Sequence, residues 1–248
     1  MIDLHSHVLP QVDDGAVSVR MALDMLDAAC RSGTREIVLT PHYAHEYGFE
    51  NPKQKVEDLF EQFQDIVRRE RIPIRMYLGT EYLMSDREQF KQEWKTIRTL
   101  NDSRYLLMEF FFDAPEREML LAVDAVQEIG LIPVIAHPER YDCVKRYPAF
   151  AEMLTDKGAL LQMNKGSPLG FHGRHTRDAA LELLSRHQYA LAGSDTHRPE
   201  GRDPNLSAAY AFVGRHFSCR YADQLFWRNA EDVLQDIDIR EVNADEEY

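Results

Sequence analysis

Seven short apolar runs, each ending in a polar cluster, constrain the fold of this chain more than any other feature. The runs are MIDLHSH, REIVLTPHY, IRMYLGTEY, RYLLMEF, IPVIAHPER, ALLQMNKGS and YALAGSDTH. Short apolar runs rich in β-branched and aromatic residues are typical of buried strands. Amphipathic segments of helical length lie between them, for example over 18–31, 52–71, 117–128 and 176–186. This alternation predicts an α/β fold with a parallel sheet and helical crossovers.

The spacing of the runs indicates how the strands are arranged. A strand, a loop and a helix together need about 30 residues, and the polar run ends recur at close to that interval: His5, His42, Glu81, Glu109, His137, Asn164 and Asp195. Seven such units predict a distorted seven-stranded (β/α)7 TIM-like barrel, with an open doubly wound sheet as the alternative. We expect a single domain over 1–248, with a mostly helical segment from about residue 205.

Candidate metal ligands accumulate at these run ends. All are His, Asp or Glu, a donor set that suits Mn, Fe or Zn rather than a closed thiolate site. One such histidine is ordinarily a surface residue, but a match at nearly every run end favours a site. The number exceeds the need of one ion, which predicts two or three divalent ions able to clamp a phosphoryl group. The nine residues are His5, His7, Asp14, His42, Glu81, Glu109, His137, Asp195 and His197.

Other residues near the run ends could contact a substrate. Arg140 and Arg202 follow two of the candidate ligands, and arginine binds phosphate oxygens in a bidentate manner. Tyr43, Tyr47 and Phe49 lie after the second run. We expect them either to cover the site and contact an aromatic substrate, Tyr43 first among them, or to pack the loop.

Charge and cysteine content exclude several classes of function. The formal net charge of −13 offers no electrostatic footprint for nucleic acid or an anionic membrane. No apolar run is long enough to span a membrane, and no secretory signal is visible, so we expect a cytoplasmic protein. The three cysteines are too sparse for a disulfide framework. None is followed by the Cys-x5-Arg spacing of cysteine-dependent tyrosine phosphatases, since Cys30 has Glu36 at that position.

At this point the sequence resembles a known group of enzymes. MIDLHSHVLPQVDDGA, TPHY, GTEY, RYLLMEF, IAHPERY, QMNKGSPLG and GSDTH are similar to motifs of the PHP (polymerase and histidinol phosphatase) superfamily. Within it they most resemble the CpsB/CapC/YwqE-like manganese-dependent tyrosine phosphatases of capsule and exopolysaccharide synthesis. Two stretches depart from the pattern, EFFFDAP after Glu109 and GFHGR after Gly170. Both are expected to border the mouth of the barrel.

The resemblance implies a PHP-type barrel with a trinuclear site. One ion would be held by His5, His7, Glu81 and Asp195, a second by Glu81, Glu109 and His137, and a third by Asp14, His42 and His197. Arg140 and Arg202 would bind phosphate, and His42 or His197 could assist the leaving group. The implied substrate is a phosphotyrosine protein, a tyrosine kinase of polysaccharide assembly.

Three alternatives remain open at the level of sequence. The chain could be a small-molecule phosphatase such as histidinol-phosphate phosphatase, an amidohydrolase-like enzyme or a metal-dependent binding module. For a tyrosine phosphatase, we expect different roles for the two adjacent acids Asp13 and Asp14. Asp14 is expected to bind the third ion and Asp13 to fix the turn, so replacing Asp13 is expected to harm activity less.

Overall fold

The structure, a computed structural model, describes residues 1–240 and confirms the α/β class with parallel strands. The predicted domain end at Tyr248 lies outside these residues. Every strand pair is parallel, and the strands form two sheets of order β1-β2-β4 and β3-β5-β6-β7-β8-β9. The strands are β1 (Ile2–Ser6), β2 (Glu36–Leu39), β3 (His42–Tyr43), β4 (Arg75–Leu78), β5 (Glu81–Leu83), β6 (Tyr105–Glu109), β7 (Ile132–Ala136), β8 (Leu160–Asn164) and β9 (Leu191–Gly193).

Two of the seven predicted strands are interrupted, and this is why the strands divide into two sheets. The second run breaks between β2 and β3 at residues 40–41, where Pro41 has no N–H to donate to a strand ladder. The third run breaks between β4 and β5 at residues 79–80. The two interrupted segments remain side by side, because Gly79 N donates to Leu39 O at 2.9 Å and Glu81 N donates to Pro41 O at 3.2 Å.

The first and last strands also lie next to each other. Asp195 N donates to His5 O at 2.9 Å, and His7 N donates to Thr196 O at 3.0 Å, at the carboxyl end of β1 and just beyond that of β9. Because neighbouring strands are parallel, their carboxyl ends point in one direction. The residues that follow those ends therefore meet on one side of the molecule.

The helices occupy the segments that the amphipathic pattern indicates. Helix α1 begins after Ser18, whose side chain accepts a hydrogen bond from Met21 N, and ends before Gly33, which has a φ of +96°. The helices are α1 (Val19–Arg31), α2 (Lys53–Glu70), α3 (Arg87–Glu93), α4 (Glu116–Glu128), α5 (Asp142–Arg146), α6 (Phe150–Asp156), α7 (Arg174–Ser185), α8 (Ser207–His216), α9 (Cys219–Asp223) and α10 (Asn229–Leu234). Among residues 1–240, no helix is both long and apolar enough to cross a membrane.

The strands are buried on both faces, as expected for parallel strands flanked by helices. Every residue of β1, β6, β7 and β8 is buried. On β1, Ile2 and Leu4 pack into an apolar cluster with residues of β6 and β7, while His5 and His7 alternate with them. This alternation frees one face of β1 for polar side chains at its carboxyl end.

A candidate metal and phosphate site

The nine predicted ligands come together at the carboxyl ends of the strands. His5 and His7 extend from β1, Asp14 lies in the following loop, and Asp195 and His197 follow β9. The remaining four come from β3, β5, β6 and the residue after β7: His42, Glu81, Glu109 and His137. Six of the nine, with Arg140 and Arg202, line a cleft of about 360 Å³.

Four of these side chains surround one point. The Nε2 atoms of His5 and His7 lie 3.2 Å apart, and they lie 3.0 and 3.1 Å from Glu81 Oε2. Both Nε2 atoms are also 3.7 Å from Asp195 Oδ1. Ligands of one ion at bond lengths near 2.1 Å stand about this far from one another. These are the four residues that the resemblance assigns to the first ion.

The other ring nitrogens of the histidines fix their tautomers. His5 Nδ1 lies 2.9 Å from Gln162 Oε1, and His7 Nδ1 lies 2.8 Å from Asp13 Oδ2. His197 Nδ1 lies 3.0 Å from the backbone carbonyl of Asp195. Each contact makes Nδ1 the donor, so Nε2 is the ring nitrogen that each histidine directs toward the carboxylates. Histidines that bind metals are held in this way by outer hydrogen-bond partners.

Glu81 and Glu109 link the first set to a second one. His137 Nε2 is 3.2 Å from Glu81 Oε1 and 3.8 Å from Glu109 Oε2. His42 also reaches this pair, because its Nδ1 lies 3.0 Å from Glu109 Oε1 and 3.2 Å from Glu81 Oε2. His42, Glu81 and Glu109 offer atoms that all lie within 4.8 Å of one another.

Asp14, His42 and His197 form the third set, and His7 borders it. Asp14 Oδ1 lies 3.3 Å from His197 Nε2 and 3.6 Å from His42 Nε2. His42 therefore presents one ring nitrogen to this set and the other to the glutamates. The ring of His7 lies 4.0 Å from that of His197 between their centroids. The three sets are contiguous, and His42 and Glu81 connect them.

Unpaired buried atoms indicate that this cluster suits cations. Nine buried side-chain atoms among the described residues have no hydrogen-bond partner, and five belong to the cluster: His42 Nδ1, Glu81 Oε2, Glu109 Oε1, His137 Nδ1 and His197 Nε2. Several stand at ion-pair distance from a neighbour, but the geometry does not suit a hydrogen bond. Buried polar atoms without partners are costly, and a divalent ion would satisfy most of these with the donors that it prefers.

The charges in the metal-free chain reflect the same crowding. Burial acts to lower the pKa of His5, but the carboxylates of Glu81 and Asp195 outweigh it and raise that pKa to about 9. Burial is likewise outweighed at His42, where Glu81 and Glu109 raise the pKa to about 10. The ring of His197, whose Nε2 lies 3.3 Å from Asp14 Oδ1, holds the pKa of Asp14 well below its usual value. Protons therefore occupy positions in the metal-free chain that a metal would take.

The two predicted arginines meet on one carboxylate at the edge of the cluster. Arg140 Nη1 donates to Asp195 Oδ2 at 3.1 Å, and Arg202 Nη2 donates to Asp195 Oδ1 at 2.5 Å. Asn164 Nδ2 donates to the same Oδ2 at 2.9 Å, so the asparagine at the end of β8 orients this carboxylate. Two fixed positive charges thus border the ligand cluster where a phosphate dianion would enter.

The structure places Tyr43 away from the cleft, in contrast to the expected substrate contact. Tyr43 is 6% exposed, and its ring stacks on Tyr82 with centroids 5.8 Å apart. Because Tyr43 follows His42 on β3, its side chain points to the opposite face. Tyr47 and Phe49 from the same loop line the cleft instead, together with Phe112. Phe112 is not among the residues predicted from the sequence, although the unusual EFFFDAP stretch marks its position.

Local backbone features hold several ligand candidates in place. His137 and Asp195 have φ values of +38° and +51°, a left-handed conformation that costs a non-glycine residue about 1 kcal/mol or more. Gly193 packs so closely that a Cβ there would lie 2.7 Å from His5 Cβ and 2.4 Å from Gln162 Nε2. Strained residues of this kind occur where the position of a side chain matters more than local stability.

Comparisons with known proteins agree with the predicted resemblance. A family model described as "Capsular polysaccharide synthesis, CpsB/CapC" matches residues 1–235. The tyrosine-protein phosphatase CpsB of Streptococcus pneumoniae is 31% identical over 241 residues, which cover 95% of this chain and 99% of that protein.

Solved structures extend this agreement to three dimensions. One comes from work on YwqE from Bacillus subtilis and CpsB from Streptococcus pneumoniae, described as unique metal-dependent tyrosine phosphatases. It matches with a TM-score of 0.89 at 31% identity, over 96% of this chain and 95% of the other. A probable 2-pyrone-4,6-dicarboxylic acid hydrolase from Acinetobacter baumannii shares only the fold, with a TM-score of 0.56 at 14% identity over 94% and 98% of the two chains. The family model and the 31% identity over nearly all of both chains together show that this chain belongs to the CpsB/CapC family.

Proposed function

We propose that this chain is a metal-dependent phosphatase that hydrolyses phosphotyrosine in proteins. The observation that carries the proposal is the placement of two arginines on Asp195, which also faces the Nε2 atoms of His5 and His7. A phosphate monoester entering the cleft meets positive charge at one edge and the ligand cluster at its floor. The tyrosine phosphatase activity in the names of the relatives agrees with this chemistry.

The ligands that we propose are the nine residues described above, grouped as the three sets around two or three divalent ions. We propose Mn as the metal, with Fe or Zn as alternatives that the donor set also accepts. When bound, such ions would lower the pKa of water, so that a hydroxide nucleophile is available at neutral pH, and would offset charge on the phosphoryl oxygens.

The residues of the chain itself bind and orient the substrate. Arg140 and Arg202 would exchange part of their contact with Asp195 for two phosphoryl oxygens, which keeps the ester in line for attack. His42 and His197, our further catalytic candidates, face Asp14 at the side of the cleft and would act there by holding, with Asp14, the ion that offsets charge on the leaving phenolate. A phenol has a pKa of about 10, so its departure needs less help than that of an alkyl alcohol.

The biological setting that we propose follows from the family. The substrate would be a phosphorylated tyrosine kinase of capsule or exopolysaccharide assembly. The cysteines Cys30, Cys143 and Cys219 are all free thiols, which supports a reducing cytoplasm as the compartment. We also propose that the two sheets act as one distorted seven-stranded barrel within a single domain, because β1 and β9 are joined at their carboxyl ends.

Activity measurements on purified protein test this function. The chain should release phosphate from a phosphotyrosine peptide with added Mn and lose the activity on chelation. It should act much more slowly on histidinol phosphate. Faster hydrolysis of histidinol phosphate than of the peptide would favour the small-molecule alternative, and unchanged activity after thorough metal removal would exclude metal chemistry.

A further inference from the structure

The cleft has two chemically different parts. Its floor carries the metal-ligand candidates and the two arginines, whereas its remaining lining is aromatic: Tyr47, Phe49 and Phe112. These rings come from two different loops, one after β3 and one after β6. The metal chemistry and the phosphate contacts make no use of them.

Two of the three aromatic side chains are largely exposed to solvent. Tyr47 is 56% exposed and Phe112 is 46% exposed. Both stand at the mouth of a polar cleft, where an unoccupied apolar surface is unfavourable. Exposed apolar surface beside convergent polar groups is typical of a ligand site.

Each ring is nonetheless held in place. Phe49 lies on a short antiparallel bridge with Ala44, and its ring stacks on His42 at 5.8 Å between centroids. The ring of Phe112 meets the rings of His137 and Tyr141 at 6.4 and 6.3 Å between centroids. Tyr47 meets the ring of Phe111 edge-on at 6.0 Å. Rings that are fixed before binding lose little entropy when a ligand arrives.

Arg140 connects the aromatic wall to the phosphate end of the cleft. Its guanidinium lies 4.7 Å from the centroid of the Phe112 ring, and its Nη1 contacts Asp195. A ligand whose phosphoryl group meets Arg140 therefore places the next group of atoms beside Phe112. A flat aromatic group makes offset or edge contacts with such rings, and an alkyl chain does not.

We propose that Tyr47, Phe49 and Phe112 form an aryl slot that selects phosphate esters of phenols over esters of aliphatic alcohols. This inference rests on the proposed phosphatase function and names the substrate class of the same cleft. Phe49 and Phe112 contact the rings of the metal-ligand candidates His42 and His137. Tyr47 is therefore the position that tests the slot separately from the metal site, and Phe112 is the second position.

The kinetic test compares aryl and alkyl esters on the Mn-loaded full chain. Phe112→Leu and Tyr47→Leu should raise the KM for p-nitrophenyl phosphate roughly three- to tenfold, the loss expected for one aromatic pair. The kcat should stay within about twofold, as should the KM for phosphoserine and inhibition by inorganic phosphate. Tyr47→Phe keeps the ring and should behave like the parent. Trp227→Leu is the matched control, because Trp227 is 43% exposed on the C-terminal helices and lines no part of the cleft.

Equal effects on aryl and alkyl esters, or none on either, would overturn the slot. A binding measurement separates this outcome from failure of the phosphatase function. By calorimetry, the Mn-loaded parent should bind phenylphosphonate more tightly than methylphosphonate, and Phe112→Leu should lose most of that preference. A chain that hydrolyses no phosphomonoester but shows this pattern refutes the function and supports the slot. Equal binding of the two phosphonates by the parent refutes the slot whatever the activity.

Discussion

At the scale of single residues, the adjacent acids Asp13 and Asp14 differ in role because their side chains lie in different surroundings. Asp13 accepts hydrogen bonds from His7 Nδ1, from His42 N and from Gly15 N, and its side chain is fully buried. Asp14 is half exposed and faces His197 and His42. Asp13 therefore positions two ligand candidates in addition to fixing the turn, whereas Asp14 is itself a ligand candidate.

This difference predicts that Asp13→Asn lowers stability more than Asp14→Asn does, whereas Asp14→Asn lowers activity more. Asp13→Asn should lower the free energy of unfolding by about 1–3 kcal/mol, because it disturbs a buried charged hydrogen-bond pair. Asp14→Asn should lower it less, because the Asp14 side chain is half exposed. At saturating Mn, Asp14→Asn should lose more phosphatase activity. Chemical denaturation and kinetics on both variants check this. An equal loss of activity would show that the assignment of the third set is wrong.

The strained backbone at His137 gives a second prediction at this scale. Glycine at φ +38° avoids the left-handed penalty, so His137→Gly should be about 1 kcal/mol more stable than His137→Ala in the metal-free chain. Both variants should bind less metal. The matched control is Asp178, exposed within α7, where Gly should be the less stable by a similar amount. If the Ala variant has the higher denaturation midpoint at both position 137 and position 178, the backbone at His137 is not strained.

At the scale of elements, much of the site could be predicted from sequence because parallel strands bring their ends together. The spacing of polar run ends found His42, Glu81 and His137 without any contact information. It did not find the breaks within two strands, which depend on how Pro41 and Gly79 fit the ladder. The expected contact of Tyr43 with the substrate was wrong for a different reason. The alternation of side chains between the two faces of a strand as short as β3 is not visible in the sequence.

Close packing between β9 and β1 predicts that one methyl group disturbs the site. Gly193→Ala would push against His5 and Gln162, which should cost about 1–3 kcal/mol of stability and weaken Mn binding. Gly214→Ala in α8 is the matched control, since its Cβ meets nothing closer than 3.8 Å and should stabilise the helix slightly. Equal stability and Mn affinity in Gly193→Ala and the parent would show that this contact does not position His5.

At the scale of the whole molecule, the ligand cluster couples stability to pH. The folded pKa of His5 is about 9, above the unfolded value of 6.5. Its contribution to stability is therefore present below pH 6.5 and is lost as the pH rises through 9. The metal-free chain should show a falling Tm over this window, and saturating Mn should remove much of the fall by replacing the proton. His5→Gln should flatten the metal-free profile, and a Tm that rises over the window would contradict the account.

The same cluster concentrates negative charge around the cleft. Five carboxylates, Asp13, Asp14, Glu81, Glu109 and Asp195, surround the site in a chain of net charge −13. Two arginines offset only part of this charge, so bound cations would bring the cleft to a potential that admits a phosphate dianion. Metal occupancy and catalysis should therefore rise together.

The most direct test of the central claim is the metal content per chain, measured in the same preparation as phosphotyrosine phosphatase activity. As a metal-free sample is titrated with Mn, the account predicts two or three bound ions per chain and activity that appears with their binding. Glu81→Gln, which removes a carboxylate shared by two sets, should lower both the number of ions and the activity. Full activity in chains that hold no metal would contradict the account.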